Sequence, residues 1–169
     1  VLGSELIGEN VIAPGLEKNI LILPSHFCDP KKGTGIVTSV PSDAPDDYIG
    51  LRDLQDSDEL KKYGLTASII SKIKPIAIID TPDLGDMAAV KIVNEMGIKD
   101  QHDRKKLEEA KKIVYKKGFY EGVMNSNLRE YAGMPVQEAK DLIKNKLIKE
   151  GQAELFYELT GPVVARSLS

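Results

Sequence analysis

Three carboxylates at the start of one predicted helix are the best candidates for chemistry in this chain. Asp43, Asp46 and Asp47 lie within five residues of one another, with Pro45 among them. Proline is tolerated in a first helical turn, where its missing N–H would have no partner. Carboxylates there favour the helix dipole, and they can also accept charge-assisted hydrogen bonds from an ammonium group. The residues alone leave both roles open.

The elements on either side should hold these carboxylates in place. The preceding stretch favours a strand through its β-branched residues, Val37, Thr38 and Val40. We expect both valines to be core residues, and Pro41 to end the strand because it cannot donate to a ladder. Asp43 is then predicted to cap the helix, and Asp46 to be solvated.

Strands are predicted mainly in the first half of the chain and helices in the second. The predicted strands beyond the central one are 6–11, 19–23, 75–79, 153–157 and 163–164. The predicted helices beyond the central one are 59–63, 88–96, 100–117 and 136–151. This order does not follow a regular βαβ alternation, so the fold class is predicted to be α+β.

Composition narrows the class of protein. The 169 residues are one domain's worth of chain, and 41% hydrophobic with 29% charged residues is typical of a globular protein. The sequence contains no run of 18 apolar residues, so no membrane span is predicted. A single cysteine, Cys28, fits a reducing, cytoplasmic compartment. The net charge of −3 does not suggest nucleic-acid binding, so any such role must depend on a local patch such as the lysines of 111–117.

Several reaction classes lack their motifs. His26 and Cys28 are separated by one residue, and two ligands do not make a zinc site. The GxSxG elbow of serine hydrolases and the GxxxxGK phosphate loop do not occur. We therefore predict no metal site and no serine nucleophile.

The central stretch also carries a family resemblance. Residues 33–54, GTGIVTSVPSDAPDDYIGLRDL, resemble the editing insert of leucyl-tRNA synthetases of the archaeal and eukaryotic type. The resemblance continues through 105–124 and 136–151, so it covers most of the chain. It implies a distorted, closed β-barrel with peripheral helices and a single editing domain over residues 1–169.

The resemblance assigns roles that the spacing alone does not. In this family the last acid before the aromatic residue, here Asp47, binds the α-amino group of the misattached amino acid. The segment Gly33, Thr34 and Gly35 lines the pocket for the terminal adenosine, and Thr38 and Val40 shape the amino-acid pocket. Asp43 is retained as a substrate-binding candidate beside them, with capping as its structural alternative.

The implied activity is post-transfer editing, in which water hydrolyses the ester of mischarged tRNA(Leu). No protein nucleophile or general base can be named, and the editing reaction is expected to need no cofactor. ATP and magnesium belong to the synthetase domain, whose HIGH and KMSKS signatures are missing here. The expected partners are the 3′ end of tRNA(Leu) and the rest of the synthetase chain, in the cytoplasm.

One part of the family pattern is missing inside the insert. A threonine-rich segment with a T-x-R-P-x-T motif, which forms one wall of the hydrolytic pocket, does not occur in these residues. We therefore expect the chain to be the larger, C-terminal part of an editing domain and to be inactive alone. The alternative is a non-catalytic module, derived from an editing domain, that binds tRNA or protein.

Overall fold

The computed structural model of the chain describes residues 1–55 and 57–157. The α-helices are α1 Gly3–Leu6, α2 Pro45–Gln55, α3 Ala67–Ile70, α4 Ala88–Glu95, α5 Arg104–Glu121 and α6 Val136–Lys149. The strands are β1 Asn10–Ala13, β2 Lys18–Leu21, β3 Ile79–Asp80 and β4 Val123–Met124. Two 3₁₀-helices span Glu59–Tyr63 and Ser126–Tyr131. The predicted α+β class is confirmed.

The largest part of the core lies where α2, α4 and α5 pack together. Ile49 from α2, Val93 from α4 and Leu107 from α5 are completely buried, and they belong to one apolar cluster. Burying such side chains is worth about 1.5–3 kcal/mol each, so this cluster fixes the position of α2 relative to α5. The predicted helices at 59–63, 88–96 and 136–151 are confirmed to within two residues.

The strands form two separate antiparallel pairs among the described residues. β1 pairs with β2 across a turn at residues 14–17, with Asn10 opposite Leu21. The strand predicted at 6–11 therefore begins later, because Gly3–Leu6 forms a helical turn. β3 pairs with β4, which the sequence did not predict, and the backbone N–H of Asn125 donates to the Ile78 carbonyl at 2.8 Å.

The predicted central strand over Val37–Val40 is wrong. Residues 36–40 are not assigned to a strand and pair with none among the described residues, and Val37 is 56% exposed rather than in the core. One physical reason is that the Val40 N–H donates to the Asp47 carboxylate, so it is not available to a ladder. The strand predicted at 153–157 is also wrong, since those residues are mostly exposed and unpaired. The strand predicted at 163–164 lies outside the described residues.

The long helix α5 begins after Asp103, three residues later than predicted, and runs past Gly118. Gly118 is buried inside it, and a Cβ there would lie 3.6 Å from Thr81 Oγ1. That is an ordinary van der Waals distance, so α5 packs against the segment after β3 at this point, and Gly118 does not end the helix. The helix ends instead at Gly122.

We expect Gly122→Ala to destabilise the fold by about 1–3 kcal/mol through overpacking. A Cβ at this position would overlap the Gly118 carbonyl and lie 2.6 Å from Ile79 Cγ2. Gly3→Ala is the matched control, because nothing lies within 4 Å of its Cβ position. Urea denaturation of both variants measures the difference, and equal midpoints would contradict the close approach.

No helix in the described part of the chain combines the length and the apolar character that crossing a bilayer requires.

Candidate functional site

Asp47 fastens the start of α2 to the extended segment before it. Its Oδ2 accepts a hydrogen bond of 2.6 Å from the backbone N–H of Val40. Partial burial raises the pKa of this carboxyl, and the hydrogen bond from Val40 opposes that rise. The Ser39 side chain also hydrogen-bonds this carboxylate and lowers its pKa. A carboxylate has about four acceptor sites, so Asp47 retains capacity to accept from a further donor.

Asp46 is ion-paired to α5, so the expectation that it is solvated is wrong. Arg104 Nη1 lies 3.2 Å from Oδ1, and Lys111 Nζ lies 3.2 Å from Oδ2. The Asp46 side chain is only 13% exposed. Lys111 also reaches Glu108 at 2.9 Å. These pairs neutralise the carboxylate next to Asp47 and fix the register of α5 beside the start of α2.

Tyr115 lies one turn beyond Lys111 on α5, on the same side of the helix. Partial burial of its hydroxyl, followed by the negative charge of Asp47, raises the pKa of Tyr115. The residue as a whole is 49% exposed. Sequence reasoning missed this aromatic residue, although its four-residue spacing from Lys111 could have indicated it.

Asp43 is not the cap of α2, which corrects the sequence prediction. Ala44 occupies that place, since its carbonyl accepts the N–H of Tyr48 at 3.0 Å. The Asp43 carboxyl turns inward, where Ser42 Oγ donates to its Oδ2 at 2.6 Å. Burial raises the pKa of Asp43 to about 6; the Ser42 hydroxyl and nearby backbone amides lower it, and Asp80 raises it further.

A buried polar cluster surrounds Asp43, and no pattern in the sequence predicted it. Asp80 Oδ1 accepts from Asn125 Nδ2 at 2.6 Å, and Asn125 also caps the second 3₁₀-helix. Among the described residues, neither Asp43 Oδ1 nor Thr81 Oγ1 has a hydrogen-bond partner. These groups lie behind the start of α2. A buried polar atom without a hydrogen-bond partner lowers the free energy of unfolding, so we expect them to affect stability.

Residues 33–35 form an exposed turn before the extended segment. Gly33 and Gly35 have φ values of +52° and +71°, which favour glycine. Thr34 Oγ1 accepts the N–H of Ile36 at 3.3 Å. Thr38 is exposed and Val40 half-buried in the segment that follows. These positions therefore lie along one continuous stretch of chain that Asp47 holds at its end, and their roles in binding remain predictions.

No group of three His, Cys, Asp or Glu side chains among the described residues could hold an ion. His26 contacts Glu59 at 3.1 Å, and Cys28 is half-buried with a free thiol.

Comparison with known proteins gives a consistent set of relatives. No protein-family model matches the chain. It is 48% identical over 165 residues to a leucine–tRNA ligase of Methanothrix thermoacetophila, which covers 97% of this chain and 17% of that relative. It is 41% identical over 169 residues to the cytoplasmic leucine–tRNA ligase of Pongo abelii, which covers 99% of this chain and 14% of that relative. The chain thus spans about a sixth of the length of these curated relatives.

Solved structures agree with the sequence relatives. The crystal structure of GlLeuRS-CP1 matches with a TM-score of 0.80 and 36% identity, over 94% of this chain and 61% of that one. The editing domain of the P. knowlesi cytosolic leucyl-tRNA synthetase matches with a TM-score of 0.82 and 30% identity, over 94% and 52%. The chain therefore belongs to the leucyl-tRNA synthetase family, in the region of the family's editing domain.

Proposed function

We propose that this chain is the part of a leucyl-tRNA synthetase that hydrolyses mischarged tRNA(Leu). The observation that carries the proposal is the fixed carboxylate of Asp47, held by the Val40 N–H at a half-buried position in the first turn of α2. It lies within a chain 41–48% identical to leucine–tRNA ligases. A rigid carboxylate at the edge of a surface is suited to hold the ammonium of an amino acid.

The physical need for such a site follows from the limits of a single binding pocket. One methylene group contributes only about 1–3 kcal/mol to discrimination, too little for accurate translation. A second site that hydrolyses the wrong product supplies the missing factor. The substrate class is therefore tRNA(Leu) esterified with an amino acid smaller than, or similar in shape to, leucine.

The proposed mechanism is hydrolysis by a positioned water. Asp47 Oδ1 accepts from the substrate ammonium and sets the position of the ester carbonyl. Water attacks that carbonyl carbon, the ester C–O bond breaks, and the terminal ribose oxygen leaves as a hydroxyl after taking a proton. Positioning by the carboxylate and by nearby backbone groups suffices, so no protein nucleophile, metal or organic cofactor is assigned to this step. ATP and magnesium serve leucine activation elsewhere in the synthetase.

The terminal adenosine is assigned to the turn at 33–35, and the amino-acid side chain to Thr38 and Val40. Positive φ values and the lack of a Cβ at Gly33 and Gly35 support close approach of backbone to a ligand. The exposed positions of Thr34 and Thr38 support access to it. Asp43 lies behind this surface, so its proposed contribution to binding is indirect, through the position of α2.

The complete site includes residues outside this chain. The chain covers 52–61% of the two solved editing domains described above, so we assign the threonine-rich wall to another part of the synthetase. We propose that the whole domain closes as a barrel, with a strand from outside this chain beside residues 36–39, which have no strand partner among the described residues. The partners are then the rest of the synthetase chain and the 3′ end of tRNA(Leu), in the cytosol.

A non-catalytic interaction module is the second candidate. The observation in its favour is that three apolar residues of α6 and the segment after it, Leu142, Leu155 and Phe156, are 51–73% exposed. A deacylation assay on the full-length synthetase separates the two functions. Release of isoleucine or valine from mischarged tRNA(Leu) supports the enzyme, and tRNA binding without release supports the module.

We expect this chain alone to deacylate mischarged tRNA(Leu) at less than a tenth of the rate of a complete editing domain. The physical reason is that Asp47 would hold the ammonium while one wall of the pocket is missing, so the ester is poorly positioned. Both proteins should be assayed at equal concentration, with circular dichroism as a check of folding. A rate equal to that of the complete domain would contradict the divided pocket.

A further inference from the structure

The first turn of α2, which carries the proposed ammonium anchor, is tied to α5 by charge. Two cations of α5 share the carboxylate of Asp46. Arg104 Nη1 lies 3.2 Å from Oδ1, and Lys111 Nζ lies 3.2 Å from Oδ2. Because the Asp46 side chain is only 13% exposed, these pairs are partly shielded from water. Each oxygen of this carboxylate therefore has its own cation on the neighbouring helix.

The same turn is held from another direction through Asp47. Its Oδ2 accepts the Val40 N–H at 2.6 Å, which joins the helix to the segment before it. With 3.6 residues per turn, neighbouring side chains of a helix point about 100° apart. Asp46 can therefore face α5 while Asp47 faces the segment 36–40. The position of the Asp47 carboxylate depends on both ties.

Apolar packing holds α2 against α5 but does not set the orientation of its first turn. Ile49 of α2 packs in one cluster with Leu107 and Val114 of α5. Such contacts are non-directional, whereas charge-assisted hydrogen bonds fix the geometry of the groups they join. Arg104 and Lys111 stand about 10 Å apart along α5, so they hold the Asp46 carboxylate from two points on that helix.

We propose that Arg104 and Lys111 are positioning residues for editing, which act through Asp46 to set where Asp47 holds the substrate ammonium. This inference rests on the proposed function. Neither cation needs to touch the substrate, because Asp46 and Asp47 are consecutive residues of one helical turn. Glu108 pairs with Lys111 at 2.9 Å and keeps that cation within reach of Asp46. The ester is then placed by a contact between two helices.

The test is single-turnover deacylation of isoleucyl-tRNA(Leu) by the full-length synthetase. A misplacement of about 1 Å can slow an enzyme about 100-fold, so Lys111→Met should slow release of isoleucine about five- to 50-fold. Lys111→Arg keeps a cation at this position and should retain most of the rate. Lys117→Met is the matched baseline, because Lys117 is a lysine of the same helix with similar exposure that pairs with Asp83 instead of α2. It should lose much less.

A second ester separates positioning of the ammonium from a general structural defect. In the α-hydroxy acid analogue of isoleucyl-tRNA(Leu), a hydroxyl replaces the amino group, so there is no ammonium to misplace. Lys111→Met should slow hydrolysis of this ester no more than Lys117→Met does. A variant that only damages the fold slows both esters by the same factor, and that result would overturn the proposal.

A double-mutant cycle shows whether Lys111 acts through Asp46. Asp46→Ala removes both ion pairs, so it should slow deacylation at least as much as Lys111→Met, and the two changes together should be little worse than Asp46→Ala alone. Arg104→Gln should behave in the same way. Additive losses would mean that the cations act elsewhere, for example on tRNA phosphates, and would overturn the proposal, as would equal losses in Lys111→Met and Lys117→Met.

These failures are distinguishable from failure of the proposed function. A parent enzyme that deacylates isoleucyl-tRNA(Leu), and is slowed by Asp47→Asn, keeps the proposed function intact whatever the α5 variants do. A parent enzyme that does not deacylate this substrate overturns both.

Discussion

Asp47→Asn in the full-length synthetase should slow deacylation of mischarged tRNA(Leu) about ten- to 150-fold without destabilising the protein. The asparagine carbonyl can still accept the Val40 N–H, but an amide carries no charge to hold the substrate ammonium. Hydrogen bonds to charged groups contribute about 1.5–3 kcal/mol, which corresponds to that range of rates. Leucine activation, measured by pyrophosphate exchange in the same preparation, should stay unchanged.

Asp47→Ala separates the two roles of this carboxylate. Alanine removes both the charge and the acceptor for Val40, so editing should fall at least as far as in Asp47→Asn, and the melting temperature should also fall. If Asp47→Asn edits as fast as the parent while Asp47→Ala loses editing and stability together, the residue only fastens the segment 36–40 to α2. Such a result would remove the main support for the proposed mechanism.

The sequence predicted the helices well because their patterns depend on local residues. The helix at 88–96 has apolar spacing and Gly97 just beyond it, and both features act within a few residues of the chain. The family and the α+β class were also predictable, since the stretch from Gly33 to Leu54 is long and specific. The structure and the relatives confirm these predictions.

The strand at 37–40 and the cap at Asp43 were wrong because tertiary contacts override local preference. Val37 and Val40 favour a strand, but a strand also needs a partner, and the described residues provide none. Asp43 has the right residue type for a cap, but Ser42 Oγ donates to its carboxyl group, which is largely buried. Neither contact can be predicted from spacing along the chain.

The candidate site was only half predictable for the same reason. Asp47 and the turn at 33–35 stand in one continuous stretch, and the resemblance covers that stretch. The ion pairs of Asp46 and the exposed ring of Tyr115 come from α5, some 60–70 residues later in the chain. They become neighbours only when α5 packs on α2.

Asp43→Asn should stabilise the fold at neutral pH. A pKa of about 6 in the folded state, against 3.8 for an ordinary aspartate, means that the folded protein binds the extra proton between these two values. The contribution of the Asp43 carboxyl to the free energy of unfolding therefore falls as pH rises from about 4 to 6. Above about pH 6 the carboxylate is charged in both states, and the whole destabilisation from burying that charge is present. A shift of this size corresponds to about 3 kcal/mol, which the neutral asparagine should avoid.

The measurement is urea denaturation of the parent and the Asp43→Asn variant at pH 4 and pH 7.5. The difference in the free energy of unfolding should approach about 3 kcal/mol at pH 7.5 and shrink at pH 4, where the parent carboxyl is largely protonated when folded. Asp86→Asn makes the same chemical change at an exposed carboxylate and is the matched control for it. If Asp43→Asn is no more stable than the parent at pH 7.5, the carboxylate is better solvated or better paired than its surroundings indicate. The buried cluster with Asp80 and Asn125 would then stabilise the charged form.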